Sequence, residues 1–337
     1  MFSFLLGSRA KFEGSQEVTR SLEGDAHKAR VKVHNGRIRI KQAEQETVRA
    51  LVRVVVKGEL AEDIRDMSDV ERFWTLEQRG DTILFEQLEC TQLFSGSSIS
   101  VSVDLILPRS VCKVELISHN GSIEAQDIVG ALDAHTHNGS VDISHVKSEN
   151  GSVKVRSHHG SLQLKGIKAD RLTAETANGS IELETVVAHV ELDTRHGSVD
   201  ARHVDGRLHL LSRNGSLRVE NVTGNLKAET HNGKIVVENC QQNAILHTHN
   251  GSVRVKNKCD VAGDWRVMTH NGSIELLLPQ NVDATFRLKT SAGKVTGDLL
   301  QIQSRGIVNN FSIKNGEGKH LIDVETHRGS IEVSGMK

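Results

Sequence analysis

Hydrophobic and polar residues alternate along most of this chain with a period of two. Between Gly197 and Gly215, Val199, Ala201, Val204, Leu208, Leu210 and Ser212 take one face, while Asp200, Arg202, Arg207, His209 and Arg213 take the other. The next stretch repeats the pattern with Leu217, Val219, Val222, Leu226, Ala228 and Thr230. Such alternation marks half-buried strands, because successive side chains point to opposite faces. The breaks are periodic as well. Asn-Gly-Ser, His-Gly-Ser or Asn-Gly-Lys places glycines at 121, 139, 160, 179, 197, 215, 233, 251 and 272, with gaps of 18, 21, 19, 18, 18, 18, 18 and 21 residues. A fixed period of this size is the mark of a solenoid. A second set of breaks lies midway, at Val129-Gly130, Asp205-Gly206 and Thr223-Gly224 among others. Each half-coil of roughly nine residues suits a strand of about six and a short turn. The pattern predicts an all-β chain, a parallel β-solenoid with about 18 residues and two strands per coil.

A single coil cannot bury its apolar face, whereas stacked coils make a continuous core. Stacking aligns Thr194, Ser212, Thr230, Thr248 and Thr269 as an inward ladder of hydroxyls. It also aligns Asn214, Asn232, Asn250 and Asn271, whose amides can bond along the stack. Asn-Gly and His-Gly tolerate positive φ, so the turns are expected to use that conformation.

The chain divides into a tail over 1–29, a β-rich N-terminal cap over 30–110, regular coils over 111–278, and C-terminal coils with a β cap over 279–337. In the first cap, Val31–Ile40 reads as one hairpin-like copy of the turn unit. Leu60, Ile64, Met67, Val70 and Trp74 fall at helical spacing and predict one short amphipathic helix over 60–74. Strands are expected near 81–88 and 98–107. Pro108 and Pro279, the only prolines, bracket the regular coils, where a residue without an amide donor is tolerated.

The repeated Asn-Gly-Ser-Ile/Val units follow a strand ending Leu105-Ile106-Leu107-Pro108, and the chain closes on Ile322-Asp323-Val324-Glu325-Thr326-His327-Arg328-Gly329-Ser330-Ile331. This set resembles the bacterial adhesin-like family of β-strand-repeat (β-solenoid) proteins, whose domain has no assigned biochemical function. The resemblance covers about residues 30–337. It implies the fold and brings no catalytic residue with it.

Charge and composition narrow the function. Lys and Arg number 42 against 43 Asp and Glu, so no global field calls for nucleic acid or membrane. Tyr is absent and Trp occurs only at 74 and 265, which leaves few flat platforms for stacking bases or sugars. No nucleic-acid partner is expected. Phe2, Phe4, Leu5 and Leu6 form an apolar run too short to span a bilayer and shorter than a secretory core. With Arg9 and Lys11 behind it, the run is a candidate peripheral tether to anionic lipid. A docked or disordered tail is the alternative. Cys90, Cys112, Cys240 and Cys259 have no zinc spacing and are expected to be buried free thiols in a reducing compartment.

Histidine is the unusual residue, with 18 copies. His119, His137, His158, His231, His249 and His270 share the position before the turn. His135/His137 and His247/His249 are i,i+2 pairs on one strand face. With His231 from a neighbouring rung, they are the candidate ligands for a zinc, nickel or copper ion. A turn that favours His or Asn accounts for the same pattern. No Ser-His-Asp order, phosphate loop or acid–base pair stands out from the repeat, so no catalytic residue and no cofactor is assigned. The expected function is a non-catalytic scaffold or binding protein that presents a rigid ladder surface to a protein partner or to itself. The expected location is the cytoplasm, with peripheral membrane contact. The alternative is an exported adhesin-like envelope protein. More distant are a carbohydrate-active enzyme and a metal-binding protein using the histidine ladder.

Overall fold

The computed structural model describes residues 11–21, 26–58, 61–88, 97–304 and 309–336. They form two compact units. The first runs to Ser148 and includes Lys154–Ser157; the second comprises Glu149–Val153 and His158 onward.

The second unit is a parallel β-solenoid. Val199, Leu217, Ile235 and Val253 align in register as one interior column. Leu208, Leu226 and Ala244 form another. All seven are buried. Each coil therefore supplies one strand to each of two parallel ladders, and the alternation of the sequence becomes an inside and an outside.

The hydroxyl and amide ladders are both present. Thr230 Oγ1 donates to the Gly215 carbonyl at 3.0 Å, and Thr248 does the same to Gly233 at 2.9 Å. Asn232 Nδ2 reaches Asn214 Oδ1 at 2.7 Å, and Asn250 reaches Asn232 at 2.8 Å. These two buried hydroxyls thus each satisfy a turn carbonyl.

The turn glycines have a different cause from the one expected. Of the Asn-Gly and His-Gly turns only Gly36 and Gly316 have the expected positive φ among the described residues; elsewhere positive φ falls at glycines such as Gly130 and Gly206 and at several non-glycine positions. At Gly215 a Cβ would stand 1.9 Å from the Gly197 carbonyl oxygen, and at Gly251 it would stand 2.0 Å from that of Gly233. Glycine is required because successive turns stack backbone on backbone. Left-handed residues mark the other corner of the coil, where Thr185, His203, Asn221 and Asn239 have φ of 56°, 55°, 55° and 58°. Asn and His adopt that conformation readily, while a β-branched threonine is strained there.

The C-terminal end of this unit is not built in chain order. His320–Arg328 pairs in parallel with Trp265–Asn271 on one side and with Ala284–Ala292 on the other. The last coil in sequence is therefore inserted between two earlier ones. Asn309–Asn315 then closes the ladder antiparallel to Ala284–Ala292.

The first unit has the same device at its start. Lys28–Asn35 pairs in parallel with Thr82–Gln87 and with Lys113–Asn120, and Ile38–Ala43 with Ser98–Pro108 and Ile123–Gln126. The stretch expected as a hairpin is thus a coil whose two strands pair with other coils. Thr47–Lys57 and then Lys11–Ser21 add antiparallel strands outside Ser98–Pro108. Lys11–Ser21 is a strand with Val18 buried, which corrects the tail expected over 1–29 for those residues. Lys11 and Arg53 hydrogen-bond the Glu13 carboxylate and pull it down to about 2. Charged side chains on an edge strand discourage pairing with another chain. The candidate tether residues Phe2, Phe4, Leu5 and Leu6 lie outside the described residues.

The helix expected over 60–74 is reduced to one turn, Met67–Val70, followed by a 3-10 turn over Glu71–Phe73. Asp66 caps the Ser68 amide, and Asp69 accepts from the Arg65 amide, so two aspartates favour turns over a continuous helix. Trp74 instead opens the strand Trp74–Arg79 and stacks on Phe85 at 5.8 Å. Among the described residues no helix is long and apolar enough to cross a membrane.

Candidate functional site

Because every coil of the second unit presents the same strand in the same orientation, outward residues form columns along the stack. The column before the turn holds four stacked imidazoles. Ring centroids are 4.9 Å apart for His231 and His249, 4.8 Å for His249 and His270, and 4.8 Å for His270 and His327, at interplanar angles of 2°, 1° and 13°. The spacing is that of the strands themselves. Burial among its neighbours, then the charges of His249, His327 and Arg328, lowers the pKa of His270 below the ordinary 6.5.

His231 and His249, two of the candidate metal ligands, are therefore brought face to face. Parallel rings direct their nitrogen lone pairs side by side, whereas a tetrahedral ion needs donors that converge. His247 leaves the same strand face but stands in another column, beside Glu229 and Met268. In the first unit His137 stacks on His119 at 5.1 Å, and His119 on His34 at 5.0 Å. His135 is exposed and aligns with Ile117. His34 and His327 are the members that linear spacing concealed. Both precede a turn motif, Asn35-Gly36 and Arg328-Gly329, which is the signal by which they can be found.

The same sheet face of the second unit carries a groove of 370 Å³ running along the stack. Arg171 and His189 are register partners on one wall. Extending the Val190–Leu208 pairing by one residue sets Arg207 next to them. The other wall is the column Glu191, His209, Lys227 and Ile245. Arg171 pairs with Glu191 at 3.3 Å, and Lys227 with Glu229 at 2.9 Å. Nε2 of His209 is enclosed without a hydrogen-bond partner, 3.9 Å from the Glu229 carboxylate. Among the described residues Arg207 forms no ion pair. The groove was not evident in the sequence, since its walls come from residues about 18 positions apart.

Of the thiols, Cys240 is buried, and burial pushes it up to about 12. Cys259 is half-buried and Cys112 is exposed, in contrast to the burial expected of both; all three are free. Cys90 lies outside the described residues.

Three solved structures align over most of the chain. A protein named “putative cell adhesion protein” from Clostridium sporogenes is 11% identical over 96% of this chain and 100% of its own, with a TM-score of 0.18. A “putative adhesin” from Bacteroides fragilis is 12% identical over 95% and 96%, with a TM-score of 0.29. A “putative lipid binding protein” from Parabacteroides distasonis is 10% identical over 95% and 96%, with a TM-score of 0.30. Superposition at these scores says nothing of function. No curated protein matches significantly. The family model described as Toastrack DUF4097 matches residues 17–334. With nearly its whole length so matched, in keeping with the adhesin-like resemblance of its repeats, this chain belongs to the Toastrack DUF4097 family.

Proposed function

We propose that this protein is a non-catalytic binding scaffold that works by presenting a long, rigid, repeating face. One observation carries this reading. The two columns at the turn of the second unit place like residue on like residue, four imidazoles beside a row of bonded asparagine amides. Hydrolytic catalysis asks for unlike groups, an acid and a base, converging on one point. A repeating column instead suits an extended partner that makes the same contact many times, so that weak contacts add by avidity.

Cytoplasmic location is part of the proposal, and the free thiols of Cys112, Cys240 and Cys259 support it. The test is cross-linking capture from fractionated cells, comparing the wild type with a His231→Asn/His249→Asn variant that keeps turn-compatible residues. Capture of a partner from the cytoplasmic fraction, weakened in the variant, is the expected result. Recovery of the protein only from the envelope fraction would favour the exported adhesin-like alternative. Capture indifferent to the ladder would reject the face as the binding surface.

A further inference from the structure

The groove on the ladder face of the second unit is lined by more cations than anions. Among the described residues its permanent cations are Arg171, Arg207 and Lys227, and its one lining carboxylate is Glu191. Glu191 is engaged by Arg171, and Glu229, just outside the groove, is engaged by Lys227. Among the described residues Arg207 is exposed without an ion pair, and His209 Nε2 is enclosed without a hydrogen bond. A guanidinium only donates, so Arg207 is a donor awaiting an acceptor, and Nε2 of His209 joins it whenever that nitrogen carries a proton.

We propose that this groove binds a linear phosphate polymer, and that it does so more tightly as pH falls. The inference rests on the scaffold reading and names the ligand class for its face. Shape favours a thin chain. The walls span five strands, roughly 19 Å at the inter-strand spacing, and the groove runs along the stack. Chemistry favours phosphate over other polyanions. No Phe or Trp lines the groove, so a nucleic acid or an acidic polysaccharide would find no platform for its rings. The strands on either side already pair with one another in the stack, so an acidic peptide has no free edge to extend there. Phosphate needs only charge and directed N–H groups, and the planar fork of Arg207 matches its oxygens.

The acid dependence follows from His189 and His209. Histidine is the side chain that changes charge between pH 5 and 8. The charged groups facing these two imidazoles are Arg171, Arg207, Lys227, Glu191 and Glu229. A phosphate chain laid between the walls adds further negative charge, so ligand and proton binding reinforce each other.

The shared chemistry has two sources, inorganic polyphosphate and a polyol phosphate such as poly(glycerol phosphate). Titration calorimetry of the full chain with each, at pH 5.5 and 7.5, separates them. Binding of at least one is expected, tighter by about tenfold at pH 5.5 for two added charges near the ligand. Arg207→Gln should weaken binding at both pH values. His189→Gln/His209→Gln should abolish the pH dependence, so that the affinity at pH 5.5 no longer exceeds that at pH 7.5. Arg218→Gln, on the other sheet, should change neither, and melting temperatures should confirm that every variant folds.

Absence of binding to both polymers overturns the proposal, as does binding that the Arg207 variant leaves intact. Equal or tighter binding of polygalacturonate, polyglutamate or single-stranded DNA overturns the ligand class. Release of free phosphate during the titration would instead overturn the non-catalytic reading, so the two failures are distinguishable.

Discussion

The regular coils and the terminal layers of this protein obey different neighbour rules. In the coils from Val199 to Lys256, every strand pairs with the strand about 18 residues away, as Leu208 does with Leu226. At the ends the partner is far off: His270 stacks on His327, 57 positions along, and His119 on His34, 85 positions back. The reason is the edge. An interior coil has both edges paired by its neighbours, whereas a terminal coil would leave a row of open amides and carbonyls. Here the chain folds a remote coil against the end and finishes with antiparallel strands such as Lys11–Ser21 and Asn309–Asn315. Repetition builds the middle, and reversal of direction ends it.

Coils and terminal layers should differ most in how they tolerate a buried charge. Leu208→Asp, in the middle of an interior column, should cost about 4 kcal/mol or more by burying an unpaired charge. Val18→Asp, on the edge strand of the cap, should cost about 1–2 kcal/mol because the strand can splay and hydrate the carboxylate. Chemical denaturation of both variants measures the gap. Equal losses would mean that the cap is as cooperative as the coils.

The glycines of the two regions should differ as well. Gly215→Ala would push a Cβ to 1.9 Å from the Gly197 carbonyl, so the coils must separate locally. The expected loss is about 3 kcal/mol, at the upper end for overpacking. Gly80, in the terminal layer, has φ of +60° and open space around the missing Cβ. Gly80→Ala should cost only the conformational penalty, about 1 kcal/mol. A reversed order would show that φ, not stacking, selects glycine in the turns.

A gain is expected at the second corner. Thr185 holds the left-handed conformation that Asn221 and Asn239 hold two and three coils further on. Thr185→Asn should raise stability by about 1 kcal/mol by removing β-branched strain. An unchanged melting temperature would show that the corner relaxes around threonine.

The smallest effect tests whether neighbours in space, and not in sequence, set the chemistry of the ladder. His270 is held below its ordinary value of 6.5 by burial and by His249, His327 and Arg328. Its folded form therefore binds fewer protons than the unfolded chain. The stability it contributes is complete above about pH 6.5 and is lost as pH falls through that value toward the lowered one. His270→Asn should lessen the fall in melting temperature between pH 7 and 5.5. His327→Asn should raise the His270 titration midpoint seen by NMR, and added salt should reduce that shift. A midpoint indifferent to residue 327 would mean that the stack is uncoupled.

Much of this was legible in the chain because a repeat states its own register. The 18-residue spacing of glycines, the alternation of Val199 to Ser212, and the Thr and Asn positions before each turn determined the coil, its inside and its ladders. Local rules suffice there, since every neighbour of a regular coil is another copy of the same pattern. Tertiary structure alone decided the rest. It stacked turn on turn so closely that glycine is needed for proximity and not for φ. It drew Trp74 out of an apparent helix and onto Phe85. It also placed His327 beside His270 and drew the walls of the basic groove from strands that the sequence keeps apart. Those outcomes depend on which edges remain unpaired once the repeats have stacked, and a period in the sequence carries no record of where its own ends will be closed.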